Sequence, residues 1–272
     1  MSATIPDLET VELRTEDGVG WVTLNRPQAL NAWNRQLGLD LRAAVEHVAS
    51  DEEVRVVVLA GAGRAFSSGA DLKDVSGREE ERTPEGRPDL YRVLTERYHP
   101  IITGIREMPK PVIASVGGPA VGIGLSLALS CDLIVAAESA YFLLAFVNIG
   151  LAPDGGSSML VPERIGLARA TEMAMLGERI PAAQALEWGL VNRVVPDDAL
   201  AGDVAGLAER MANGPTRAYD AIKRQLNHWE MSRMAEQLEL EARIQQEMAD
   251  GVDFVEGVAA FAEKRAPRFS GR

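Results

Sequence analysis

The chain has 272 residues, 46% of them hydrophobic and 25% charged, which is enough apolar material for a sizeable core in one domain, or one domain with a small appendage, and excludes a wholly disordered chain. Its formal net charge of -12 and pI near 4.9 oppose nonspecific binding to DNA or RNA, since like charges repel along the phosphate backbone, but leave room for an anionic small ligand met by local basic groups and backbone N–H donors. The single cysteine, Cys131, excludes an internal disulfide framework and predicts a reducing, cytoplasmic setting.

From Met1 to Thr10 the chain is acidic and lacks the basic start and apolar core of a signal peptide, so no secretion is expected. Gly20 to Asn25 reads as a strand. Leu37, Leu41, Val45 and Val48 then recur at helical spacing behind Asn34, a residue type that caps helix N-termini, and predict one amphipathic helix. Val54 to Ala60 is a second β-rich run. Ser76 to Pro88 shifts to Gly, Arg, Glu and Pro, which bury little apolar surface, and predicts a surface loop or a lid near a ligand.

Further strands are predicted at Val112 to Val116 and Leu133 to Ala137, and this alternation with helical patterns defines an α/β class. The most apolar stretch, Leu125 to Ala137, is interrupted by Ser130 and Asp132 and falls short of the ~20 residues that span a bilayer, so no membrane role is expected. After Pro196 the pattern becomes helical, over Ala199 to Asn213, Thr216 to Ala249 and Phe254 to Lys264. A domain change is placed near residue 200. The tail from Ala266 to Arg272 has little hydrophobic material, so its order must come from packing against another surface.

Two glycine-rich stretches follow predicted strands. The first, Gly61 to Leu72, lacks the third glycine of a dinucleotide fingerprint, where Phe66 stands, and lacks the Gly-Lys of a P-loop. The second, Gly117 to Gly124, leads into the apolar run Leu125 to Leu129 and reads as strand, turn and helix start. The first N–H groups of a helix lack internal partners and lie in positive potential, so this turn could hold a developing oxyanion. Either stretch alone reads more readily as a structural turn than as a site.

Their order and wording are more specific. "NRPQALNA" at residues 25–32, "GRAFSSGADL" at 63–72, "GGPAVGIGLSLALSCDLIVA" at 117–136, "IGLAPDGGSSMLVPERIG" at 149–166, "AQALEWGLVNRVV" further on and the C-terminal "EGVAAFAEKRAPRFSGR" together resemble the crotonase (enoyl-CoA hydratase/isomerase) superfamily over nearly the whole chain. The resemblance implies a spiral of repeated ββα units, here residues 1–200 as the acyl-CoA-binding core, followed by a helical trimerisation region at 201–272. It further implies an acyl-coenzyme A substrate, no cofactor beyond that coenzyme A moiety, and assembly as a homotrimer or dimer of trimers.

Carried over position by position, the family's two oxyanion donors fall on the backbone N–H groups of Ala70 and Ile123, beside Gly69 and Gly122. The coenzyme A groove falls on Arg26, Gln28, Ala29 and Leu30, with Ala65, Ser68, Asp71 and Leu72 around the adenine and pantetheine. Phe261 and Lys264 resemble C-terminal residues that reach the bound coenzyme. The two glutamates with which hydratases hold water are replaced by Ser126 and Phe146, which cannot serve as comparable bases. Asp154, in "FVNIGLAPDGG", stands where dienoyl-CoA isomerases and the similar 1,2-epoxyphenylacetyl-CoA isomerase branch carry a catalytic aspartate.

The expected reaction is therefore double-bond or ring isomerisation through an enolate, with Asp154 as base. Hydration of a 2-enoyl thioester and a catalytically silent acyl-CoA binder are the alternatives. Read without the resemblance, Asp154 would cap the next helix or pair at the surface. Cys131 and Asp132 read as core or turn residues, Trp188 as core, and the charges from Glu79 to Arg82 as a solvated face. His47, His99 and His228 have no metal-ligand spacing, so no metal site is expected.

Overall fold

The computed structural model describes residues 6–75 and 81–272. Its strands are β1 (Val11–Glu16), β2 (Val19–Leu24), β3 (Val56–Gly61), β4 (Val112–Val116), β5 (Ala120–Val121), β6 (Leu133–Ala137), β7 (Tyr141–Leu143), β8 (Ile180–Pro181) and β9 (Arg193–Val195). Six form one sheet in the order β1-β2-β3-β4-β6-β9, parallel except for the antiparallel β1–β2 hairpin. The other three form a small sheet, β5-β7-β8.

β1 is absent from the expected elements, although its turn was legible. Asp17 and Gly18 both have positive φ, 51° and 77°, as a two-residue hairpin turn of the Asp-Gly type requires. The helices are α1 (Arg35–Ser50), α2 (Leu72–Val75), α3 (Leu90–Val93), α4 (His99–Glu107), α5 (Ile123–Ser130), α6 (Ser157–Leu176, broken at Gly166), α7 (Ala182–Trp188), α8 (Leu200–Ala212), α9 (Thr216–Glu230), α10 (Met234–Ala249) and α11 (Val252–Glu263). Asn34 caps α1 as expected, its side-chain oxygen accepting the Leu37 N–H at 2.9 Å.

The central sheet is buried on both faces, which is why β3 reads as an unbroken apolar run. Val56 and Val58, with Ile113 and Val135, face Leu200, Val204 and Leu207 of α8. Val57 and Leu59, with Ala114 and Ile134, face the larger core that includes Leu37 and Leu41 of α1 and Ile101 and Ile105 of α4. Each fully buried aliphatic side chain here contributes about 1.5–3 kcal/mol.

Thr216 to Ala249, expected as one helix, is two. The apolar phase slips where they join. Ile222, Leu226 and Trp229 of α9 point outward, whereas Met234, Leu238 and Ala242 of α10 are buried. A straight helix cannot place both sets on one stripe, so the chain breaks at Met231–Arg233 and α10 turns its apolar face inward.

Residues 76–80 of the expected surface loop lie outside the described residues. The remainder is a bridged turn in which Arg82 pairs with Pro88 and Thr83 donates to the Arg87 carbonyl at 2.7 Å. Glu81 is not part of a solvated face, because it is mostly buried in an ion pair with Arg97. Cys131 is buried, while Asp132 binds Lys223 at 2.8 Å and Arg106 at 3.3 Å, tying α9 to the core. Trp188 is half-buried at the core's edge, with the Arg169 guanidinium 5.3 Å from its ring centre. The tail is held by the same chain's α11: Asp253 accepts the Ser270 and Gly271 N–H groups at 2.6 and 2.8 Å, and Glu256 pairs with Arg265. Among the described residues, no helix is long and apolar enough to cross a membrane.

Candidate active site

The two glycine stretches interlock. Ser67 donates its N–H to the Pro119 carbonyl at 3.0 Å and accepts from Val121 N–H at 2.9 Å, joining the turn after β3 to the one after β4. Gly124 packs so closely that a Cβ there would lie 2.6 Å from Ser67 Cβ, and a Cβ on Gly118 would lie 2.2 Å from the Arg64 carbonyl oxygen. A Cβ on Gly69, at φ +91°, would lie 2.9 Å from the Val121 carbonyl oxygen. Only glycine allows these approaches.

Ala70 and Ile123 are thereby placed in neighbouring turns with their N–H groups unused. Around Ala70, Trp33 donates to the Gly69 carbonyl at 2.8 Å and Asp71 donates to the Trp33 carbonyl at 2.9 Å, a parallel bridge that leaves the Ala70 N–H on the other side. Ile123 opens α5, where the first N–H groups have no carbonyl one turn back. Among the described residues neither N–H has a hydrogen-bond partner. Two free donors at adjacent turns, one reinforced by a helix dipole, can stabilise an oxyanion.

The predicted groove residues gather on one edge of this site. Arg26 pairs with Asp71 at 3.2 Å, and Ser68 donates its N–H to the Leu30 carbonyl at 2.9 Å and its hydroxyl to the Ala29 carbonyl at 3.4 Å. Gln28 is exposed in the short 3-10 turn Pro27–Ala29, and Leu72 opens α2. Ala65 is buried and its carbonyl accepts the Asn31 amide at 2.8 Å. Asn31, missed as a site residue, is the hub of this edge. Fully buried, it also binds the Ala62 carbonyl, the Arg26 N–H and, through its own carbonyl, the Ser67 hydroxyl.

Phe261 and Lys264 stand apart. Phe261 is 66% exposed and Lys264 closes α11 with φ 55°, with no hydrogen bond or ion pair joining either side chain to the groove among the described residues. α11 instead packs on the same chain's Ala145–Ile149 segment, where a Cβ on Gly257 would meet Ile149 at 2.6 Å. The Phe146 ring lies against Gly122, so an apolar wall occupies one lost glutamate position. At the other, the buried Ser126 hydroxyl donates to the Asp154 carbonyl at 2.8 Å.

Asp154 is 6% exposed and, among the described residues, carries no ion pair and caps no helix with its carboxyl, so it is neither a cap nor half of a surface pair there. Its Oδ2 accepts from Gln245 Nε2 at 2.7 Å, whereas Oδ1 is buried without a partner among the described residues. The next residue, Gly155, packs so tightly that a Cβ there would lie 2.4 Å from Ile123 Cδ1, which sets the turn that carries Asp154 against the Ile123 side chain. Burial pushes the Asp154 carboxyl up to about 8; the Gln245 hydrogen bond lowers it and the nearby Glu241 raises it further. Glu241, also buried, is pushed up to about 7 while accepting the Gly156 and Ser158 N–H groups at 2.7 and 3.1 Å.

The sheet, the spiral of strand and helix units and the two glycine turns are those of the crotonase superfamily. Residues 14–272 match the enoyl-CoA hydratase/isomerase family, and the chain belongs to that family of enzymes. It is 39% identical over 265 residues to the 1,2-epoxyphenylacetyl-CoA isomerase of Escherichia coli K12, covering 97% of this chain and 100% of that protein. A Rhodobacter capsulatus protein named "Probable enoyl-CoA hydratase" is 40% identical over 263 residues, covering 97% and 98%. The crystal structure of an enoyl-CoA hydratase from Mycobacterium avium subsp. paratuberculosis K-10 superposes with a TM-score of 0.87 at 38% identity, covering 97% of this chain and 100% of that one.

Proposed function

We propose that the protein isomerises an acyl-CoA thioester through an enolate, with Asp154 as the base. The observation that carries this reading is the buried Oδ1 of Asp154, which has no partner among the described residues and belongs to the turn packed against the Ile123 side chain. A buried polar atom without a partner is costly, and its persistence points to a group that a ligand completes. On a 3-enoyl thioester the Asp154 carboxylate takes a Cα proton. The electron pair moves onto the thioester oxygen, held by the Ala70 and Ile123 N–H groups, and the carboxylic acid returns the proton at Cγ. No water is added, and one carboxyl suffices.

Water addition is the second reading, favoured by relatives named as enoyl-CoA hydratases. It is opposed by Phe146 and by the commitment of the Ser126 hydroxyl to a backbone carbonyl. The coenzyme would lie along the Arg26, Leu30, Ser68 and Asp71 edge, with no cofactor beyond it, in a cytoplasmic enzyme. The core would comprise residues 1–200, and the helices after it would serve assembly as a homotrimer or dimer of trimers. The exposed stripe of Ile222, Leu226 and Trp229 on α9, at 51%, 57% and 80% exposure, supports such a contact.

The test is a panel of 2-enoyl, 3-enoyl, dienoyl and arylacetyl thioesters followed by mass and ultraviolet absorption. Isomerised products without a mass increase are expected. A product heavier by one water would establish hydration instead, and no turnover or exchange on any thioester would leave a silent binder.

A further inference from the structure

We propose that Gln245, on α10, is a positioning residue that holds the Asp154 carboxyl by one oxygen and leaves the other for substrate, so that the C-terminal helical region supplies part of the active site. The proposal rests on the reading of Asp154 as base. Gln245 is buried, and its amide has a defined orientation. One end faces the Ala152 N–H at 3.1 Å, which can only donate, so that end is the carbonyl oxygen. The NH2 end therefore faces Asp154 Oδ2, at 2.7 Å. A single amide thus grips the chain on both sides of Pro153.

The surroundings remove the carboxyl's other freedoms. The hydroxyls of Ser126 and Ser157 both donate to the Asp154 main-chain carbonyl, at 2.8 and 2.7 Å, which pins the backbone from α5 and α6. One turn before Gln245, Glu241 accepts the Gly156 and Ser158 N–H groups, so α10 holds the segment from 152 to 158 at both ends. Among the described residues Glu241 is the titratable group that acts on Asp154 from α10; α5 and α6 present the two serines with the apolar Ile123 and Leu160, and α4 presents Ile102 against Gly156. Rotation about the Asp154 Cβ–Cγ bond would break the Gln245 bond. With it intact, Oδ1 is the oxygen left without a partner. A donor to the carboxylate also favours the charged form, so Gln245 restrains the effect of burial on the base.

A purely structural tie would affect stability and leave the base's titration alone, and the pH profile separates the two. The probe is trans-3-hexenoyl-CoA, followed by the absorption of the conjugated product, with hexanoyl-CoA as a non-reacting ligand for binding. Gln245→Met removes both hydrogen bonds at similar volume. It is expected to lower kcat roughly 10-fold or more, to move the rising limb of kcat/KM upward by about one pH unit or more, the consequence of losing a donor to a carboxylate, and to leave hexanoyl-CoA affinity within about threefold. Gln245→Glu keeps the acceptor for Ala152 but sets a second carboxyl against Oδ2, and is expected to shift the limb further. It carries the test should the methionine variant not fold.

A folded variant with the wild-type profile and kcat overturns the proposal. Asp154→Asn separates this from failure of the underlying reading. Should that variant be inactive while both Gln245 variants behave as wild type, only the positioning role falls. If Asp154→Asn retains turnover, or wild type shows neither turnover nor Cα exchange, the base assignment falls and the positioning role with it.

Discussion

Asp154→Asn should lower activity and raise stability at alkaline pH, and the two effects have one cause. Burial lifts this carboxyl from its usual 3.8 to about 8. Below 3.8 the folded and unfolded chains are both protonated there, and the group's contribution to stability is complete. Between the two values the unfolded chain has lost the proton that the folded chain keeps, so stability falls as pH rises, by up to about 1.4 kcal/mol per unit for one group. Asparagine does not titrate. The variant should therefore gain on wild type steadily from about pH 5 to pH 8, reaching a difference on the order of a few kcal/mol, while Glu241 titrates in both proteins and largely cancels.

Denaturant unfolding of both proteins at matched concentration, at several pH values in that range, measures the difference. Concentration must match because the proposed assembly would shift apparent stability. Turnover should drop roughly 10²- to 10⁴-fold, the usual contribution of a general base, with hexanoyl-CoA still bound. In heavy water only wild type should exchange Cα hydrogen. A stability difference that does not grow with pH would refute the account of burial, and retained exchange in the variant would move the base elsewhere.

Ala70→Pro deletes a donor that no described group uses and should lower turnover roughly 100-fold or more in protein shown to be folded by circular dichroism. Gly124→Ala places a Cβ 2.6 Å from Ser67 Cβ and 2.8 Å from the Ser67 carbonyl oxygen; the forced separation of the two turns should cost about 1–3 kcal/mol in thermal unfolding and lower turnover by moving Ile123. Trp229→Glu, on the exposed stripe of α9, should dissociate the assembly in light scattering without loss of fold, and a monomeric wild type at assay concentration would contradict the oligomer proposal. Cutting the chain before Gly251 should also weaken assembly, but it uncovers Ile149 and Leu151 as well, so its monomer should be less stable in thermal unfolding.

Much of this molecule can be read from neighbouring residues. β4 and β6 coincide with the predicted runs Val112–Val116 and Leu133–Ala137, because a strand buried on both faces must be apolar along its length. The glycine turns were legible for a similar reason, since backbone that approaches to within 3 Å of other backbone excludes every side chain. Asp154 is marked only by the crotonase-like phrase that carries it, since its immediate neighbours alone read as a helix cap or a surface pair. The break between α9 and α10 is present as a slip in apolar phase, and β1 as the strand before an Asp-Gly turn.

Gln245 could not be found in this way. It lies 91 residues beyond Asp154, on the buried stripe of α10 with Leu238 and Ala242, where the pattern marks a polar group on an apolar face but not what that group meets. Glu241 was hidden likewise, because a glutamate in an amphipathic helix ordinarily faces water. Packing of α10 onto the segment from 152 to 158 decides that both carboxyls are dry, that one oxygen of Asp154 is held and that the other is bare. Residue type sets what a carboxyl can do, but its charge and direction depend on the groups that displace its water, and those are assembled from distant parts of the chain only when it folds.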